Sequence, residues 1–180
     1  MIKVRFNSLL IFIVISVATL LSGCSTATVS ESMVVNDIHS NKRSSHSIGV
    51  SAHGGHETSG LGKAQVSDEA LADALVESLN NSGTFSKVIH GDDADYLLNV
   101  TIIELIQPSF GASFSVTLEI AWSLIRKDNK EVVMRESIES SSTATMGDAL
   151  IAVTRLRLAT EGAVRENIRL GLEKITKLQF

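Results

Sequence analysis

The chain has 180 residues, 44% of them hydrophobic, with 16 basic and 20 acidic side chains and a formal net charge of -4. A mildly acidic chain without a basic stripe argues against nucleic acid as a partner. Its one cysteine rules out an internal disulfide, and the length suits a single domain whose core must come mainly from Leu, Ile, Val and Phe.

Lys3 and Arg5 open the chain as a short basic region, followed from Leu9 to Leu21 by an uncharged apolar run of secretory-signal length. A membrane-spanning helix needs about 20 apolar residues, so this run is short for a permanent span. It ends in Leu21-Ser22-Gly23-Cys24, which resembles the lipobox of bacterial lipoproteins. The resemblance implies that residues 1–23 are a signal peptide, that cleavage falls before Cys24, and that its thiol and new amino terminus are acylated. Losing Lys3 and Arg5 takes the 16 basic residues to 14 against 20 acidic, and the charge from -4 to -6. Ser25 follows, where lipoproteins kept at the inner membrane often carry Asp. The implied location is the periplasmic face of the outer membrane, with the lipid bilayer as partner through acylated Cys24.

Residues 24–46 are polar, with Val34-Val35 as the one apolar moment, and are expected to form a flexible linker. A single domain is expected over residues 47–180. Ser47 to Ala52 alternates briefly and suits a first strand. The loop from His53 to Gly62 carries His53-Gly54-Gly55-His56-Glu57, and imidazole and carboxylate are suitable ligands for a transition metal. His53, His56 and Glu57 are the candidate ligands. They lack helical i,i+4 spacing and a clear third ligand at a distance, and a polar surface loop accounts for the same residues. No resident metal or cofactor is expected.

Ser67 suits an N-cap, with Asp68 and Glu69 complementing the helix dipole and Leu71, Leu75, Val76 and Leu79 forming one apolar stripe. Gly83 is the natural residue beyond the helix end. Phe85 to Ile89 is a short extended segment, and His90-Gly91-Asp92-Asp93 is a turn. Tyr96 to Gln107 is expected as a long strand, with Leu98, Val100, Ile102 and Ile106 on one side and Leu97, Ile103 and Leu105 on the other.

Phe114, Val116, Leu118, Ile120, Trp122 and Leu124 alternate with small or polar residues, the clearest period of two in the chain. This face is either core or the wall of a ligand cavity. Lys127-Asp128-Asn129-Lys130 turns the chain into a return strand from Glu131 to about Ser141. Its serine run is expected to fade into a loop. A helix is expected from Asp148 to about Leu178, with Glu161–Arg165 and Glu173–Lys177 as i,i+4 pairs on its outer side. A straight helix of that length spans about 45 Å, and Gly162 suits a kink or Gly171 a close approach.

Two striped helices and a sheet with one clean apolar face bury each other as two layers. The expected fold is an α+β sandwich with both helices on one face of a mixed or antiparallel sheet. Ala70-Leu71-Ala72-Asp73-Ala74-Leu75, Ser82-Gly83-Thr84-Phe85 and Ala94-Asp95-Tyr96-Leu97-Leu98 resemble the small auxiliary lipoproteins of envelope machines. Among these are ABC-transport auxiliaries, the lipopolysaccharide-assembly lipoprotein, activators of peptidoglycan synthases and YajG-like lipoproteins. The resemblance implies no catalytic residues. The sequence has no Gly-x-Ser-x-Gly, no His-Glu-x-x-His and no thiol left free, and His90, Asp92 and Asp93 are the nearest approach to a catalytic set. The expectation is a non-catalytic accessory docking on an envelope protein. The alternatives are a module binding a lipid or other envelope ligand between the long helix and the Phe114–Trp122 face, and a self-assembling oligomer.

Overall fold

The computed structural model describes residues 27–58 and 63–180, so Cys24 and the apolar run before it lie outside the described residues. The strands are β1 (Ser47–His53), β2 (Lys87–His90), β3 (Tyr96–Ile106), β4 (Phe114–Arg126) and β5 (Val132–Ala144). The helices are α1 (Asp68–Ser82) and α2 (Ala152–Ile175). One sheet holds the strands in the order β2-β1-β3-β4-β5. In it β1 runs parallel to both β2 and β3, while β3, β4 and β5 are antiparallel. Both helices pack on one face of this mixed sheet, α1 over β1 and β2 and α2 over β4 and β5. This is the α+β sandwich that the patterning predicts.

Local chemistry sets the ends of α1. The Ser67 hydroxyl accepts from the Ala70 N–H at 3.1 Å. Gly83 closes the helix, its N–H donating to the Asn80 carbonyl. Its φ of 65° lies in the left-handed region, where a side chain would be strained. In β4 the period of two puts the six apolar side chains at even positions from Phe114 to Leu124 into the core, none more than 4% exposed.

Four expectations need correction. In β3 the register slips between Ile102 and Glu104. That bulge turns Leu105 toward the core, opposite Leu118, and leaves Ile103 and Ile106 exposed. The serine run does not fade into a loop, because residues 140–142 continue β5 in register with β4. Small side chains are needed there: a Cβ on Gly162 of α2 would stand 2.3 Å from the Ser142 hydroxyl and 2.9 Å from its Cβ. Third, α2 begins at Ala152, since Asp148 instead closes a turn by accepting from the Thr145 N–H and hydroxyl at 2.7 and 2.8 Å. At 24 residues it spans about 36 Å rather than about 45. Its end does not project as a tip, for the chain beyond it brings Phe180 against Phe85 and Tyr96 at ring distances of 4.7 and 5.2 Å.

The fourth correction concerns the expected linker. Met33, Val34 and Val35 are 0%, 6% and 3% exposed, and the 3-10 turn Ser30–Met33 touches both helices. Val35 N–H donates to the buried Ser78 hydroxyl at 2.9 Å, Arg165 donates to the Ser32 carbonyl at 2.7 Å, and Ser40 and Ser44 N–H donate to Ser82 and Thr84 carbonyls. Two helices side by side on a sheet leave a seam, and this apolar triplet fills it. Residues 28–46 are a strap across the helix layer.

Candidate functional site

The Phe114, Val116, Leu118, Ile120 and Trp122 side chains lie in the core, each between 0% and 4% exposed. α2 closes over them. A Cβ on Gly171 would stand 2.4 Å from Trp122 Cη2, so the helix backbone rests on the indole ring. Trp122 Nε1–H donates to Asn167 Oδ1 at 2.9 Å, and Asn167 Nδ2 donates to the Ile138 carbonyl at 2.7 Å and the Ser140 hydroxyl at 3.1 Å. Ser140 in turn donates to the Ala163 carbonyl at 2.8 Å. This buried network pins α2 to β4 and β5. A buried indole N–H needs an acceptor, and Asn167 beside Ile168 on the apolar stripe was the sequence signal for it.

The histidine and glycine loop lies where β1 and β3 end. His53, His56 and Glu57 are exposed, and among the described residues no group of three His, Cys, Asp or Glu could hold a metal ion. The glycines have a packing reason. Gly54 has φ 80°, and a Cβ on Gly55 would stand 2.5 Å from the Val66 carbonyl and 2.7 Å from the Asp68 N. Gly55 N–H donates to Asp68 and His56 N–H to Val66, which ties the loop to the start of α1. His90 Nε2, level with the middle of β1, faces Asp73 of α1 at 3.3 Å, while Lys127 takes Asp93 at 3.6 Å and the Asp92 carbonyl at 2.7 Å. His90, Asp92 and Asp93 therefore do not form one constellation.

The long helix departs from its expected charge pattern. Glu161 is buried, and the Glu161–Arg165 pair is replaced: Glu161 accepts from the Val29 N–H at 3.1 Å and faces Arg157 at 3.8 Å. Burial pushes its carboxyl above the usual range, against the lowering effect of the Val29 hydrogen bond and the nearby arginines. Glu173 pairs with Arg169, not Lys177, and Arg169 also binds Glu166 through two nitrogens. Those hydrogen bonds hold the Glu166 carboxyl below its usual value.

Two surface features remain for recognition. An open groove of about 700 Å³ crosses the outer side of α2, lined among others by Val35, Asp37, Ser141, Gly162, Arg165 and Arg169. Beside it β5 ends the sheet, with a strand neighbour on one side only over 13 residues. Such an edge is a template for another strand or partner surface. The groove has a polar rim, and its Arg165 and Arg169 are already bonded, to the Ser32 carbonyl and to Glu166 and Glu173 respectively.

No family model matches the chain, and no curated protein matches it in sequence. Among solved structures, XCC0632 of Xanthomonas campestris, a DUF330 protein, is 16% identical at a TM-score of 0.59, covering 79% of this chain and 94% of that one. A PelC dodecamer of Paraburkholderia phytofirmans, a single-substitution variant, is 14% identical at 0.52, covering 78% and 95%. CT253 of Chlamydia trachomatis is 10% identical at 0.50, covering 74% and 99%. The likeness is one of fold. Among the described residues no helix is long and apolar enough to cross a membrane.

Proposed function

We propose that this chain is a lipoprotein, cleaved before Cys24 and acylated there, whose domain acts without catalysis as an accessory on a larger complex of the cell envelope. The lipobox-like Leu21-Ser22-Gly23-Cys24 supports the tether, and Ser25 supports the periplasmic face of the outer membrane as its site. The observation that carries the docking reading is a closed core beside an open edge. The apolar face of β4 is fully covered, whereas β5 offers 13 residues of one-sided strand next to a polar-rimmed groove. A tether confines the search to a thin shell and raises effective concentration, so a modest interface suffices.

The direct test places a photocrosslinking residue at Glu139 or Ser141 of the full-length lipoprotein in its native envelope, with capture identified by mass spectrometry. A reproducible transport, assembly or cell-wall component is the expected result. Capture only from positions remote from β5 would sink the edge as the docking surface. Cys24→Ser should leave the fold intact and move the protein from the membrane to the soluble fraction, and a variant that stays membrane-bound rules out acylation as the anchor.

The same edge favours a second reading, self-assembly, since a relative of this fold forms a dodecamer. Light scattering on the unlipidated domain distinguishes the two: a monomer at all concentrations argues for docking on another protein, and a discrete ring-sized particle for self-assembly.

A further inference from the structure

Large exposed apolar side chains are not scattered over this surface. Of the nine among the described residues, all but Val132 and Ile103 lie at or beside one end of the sheet, the end where β3 and β5 finish and β4 begins. The β3–β4 turn presents Phe110, 89% exposed, and the segment between β5 and α2 presents Met146, Leu150 and Ile151, with Leu150 82% exposed. Phe114 pairs with Ala144 in the sheet, so the two segments leave adjacent strands side by side. The second is held firmly. Arg155, 5% exposed, donates to the Ala149 and Leu150 carbonyls at 2.8 Å each and lies over the Phe114 ring at 5.5 Å.

The strap begins at this same end. The Thr28 hydroxyl donates to the Gln65 carbonyl at 2.9 Å, and Gln107, which follows β3, donates to Ala64 and to Thr160 of α2. Ala27, the first described residue, is three positions after Cys24 in the sequence, and three extended residues reach about 10 Å. A strap bound to the helices cannot act as a spacer. We propose that this end of the domain faces the bilayer, with Phe110, Leu150 and Ile151 seated in the interface of the leaflet that holds the acylated Cys24. The inference rests on the lipidation reading and adds an orientation to it. A domain of formal charge -6 after cleavage has no net attraction for anionic headgroups, so its grip comes from acyl chains and apolar side chains acting together. The β4–β5 turn then points away from the membrane, and the β5 edge and groove stand open along the side.

Acylation occupies the only native thiol, so an introduced cysteine is the only one free to label. Nitroxides at Phe110→Cys, Leu150→Cys and, at the opposite end, Asn129→Cys are read in the lipidated protein on phosphatidylethanolamine–phosphatidylglycerol vesicles. Flotation of the vesicles reports the tether separately. Labels at 110 and 150 should collide with oxygen dissolved in the bilayer and be shielded from a water-soluble nickel chelate, with the reverse at 129. Floating protein whose three labels are equally open to the chelate keeps the tether and overturns the orientation. Shielding at 110 and 150 that persists in the Cys24→Ser background without vesicles assigns the patch to a second copy and also overturns it. Protein that does not float overturns the tether, and the orientation with it.

Discussion

The seating of α2 on the indole is open to a sharp test in Gly171→Ala. The added Cβ would stand 2.4 Å from Trp122 Cη2, 2.5 Å from Cζ2 and 2.7 Å from Cζ3, where carbon atoms prefer about 3.5–4.0 Å. The ring has little freedom to withdraw, being 1% exposed and held by Asn167 at 2.9 Å. Overpacking a fixed core costs about 1–3 kcal/mol, whereas alanine for glycine inside a helix stabilises by about 0.8–1.0 kcal/mol. Against a rigid ring the upper part of the first range applies, leaving a net loss of about 1–2 kcal/mol. In a domain of this size that lowers Tm by about 2–8 °C. Urea and thermal unfolding of the unlipidated domain give the stability, and Trp122, the only tryptophan, reports the local change through its emission. In a Trp122→Phe background the clash is relieved and the same alanine should become neutral or stabilising, a coupling of about 1–3 kcal/mol in the cycle. A Gly171→Ala protein that gains stability in the native background would refute the contact.

Asn167→Ala leaves the Trp122 N–H without its acceptor in the core and should lower the urea midpoint by about 1–3 kcal/mol of stability, with m unchanged. Met33→Ala opens a cavity under the strap and should cost about 2–5 kcal/mol, whereas in a free linker it would change nothing. Acid should weaken the fold through Asp95 and Asp148, whose carboxyls are held low by hydrogen bonds from Ser47 and Thr145 respectively. Their contribution is present above the ordinary carboxylate value of about 4 and lost as pH falls through the depressed folded value, so Asp95→Asn should flatten Tm against pH on the acid side. Glu161 works in the opposite sense. Burial raises its folded value, so stability falls as pH rises from about 4.3 through that value, and Glu161→Gln, which keeps an acceptor for Val29, should raise Tm at neutral pH but not at about pH 4.

Wherever one local signal acted alone, the sequence could be read directly. Ser67 and Gly83 bracket α1 because capping depends on neighbouring residues only, and β4 is evident because one face is buried along its whole length. Legibility failed where a distant neighbour decides. The bulge at Ile103 inverts the phase of β3 without a glycine to mark it. The serines of β5 look like loop composition until Gly162 is brought against Ser142. Glu161 reads as a surface charge until the strap supplies its partner N–H. The strap itself was hidden in a polar stretch whose apolar triplet Met33-Val34-Val35 is buried, with Ile38 packed beside it. As for the surfaces, the patch at the β3 and β5 ends joins residues from two loops about 40 positions apart, a convergence that periodicity does not reveal.

The strap also imposes an order of events. Its contacts from Val29 to Glu161 and from Arg165 to Ser32 span 132 and 133 positions. The part of the domain made first thus needs nearly the last part before its docking is complete. Until α2 has left the ribosome, Met33, Val34 and Val35 have no seam to fill and the β4 face has no cover. The core of this domain is therefore complete only when its two ends have met.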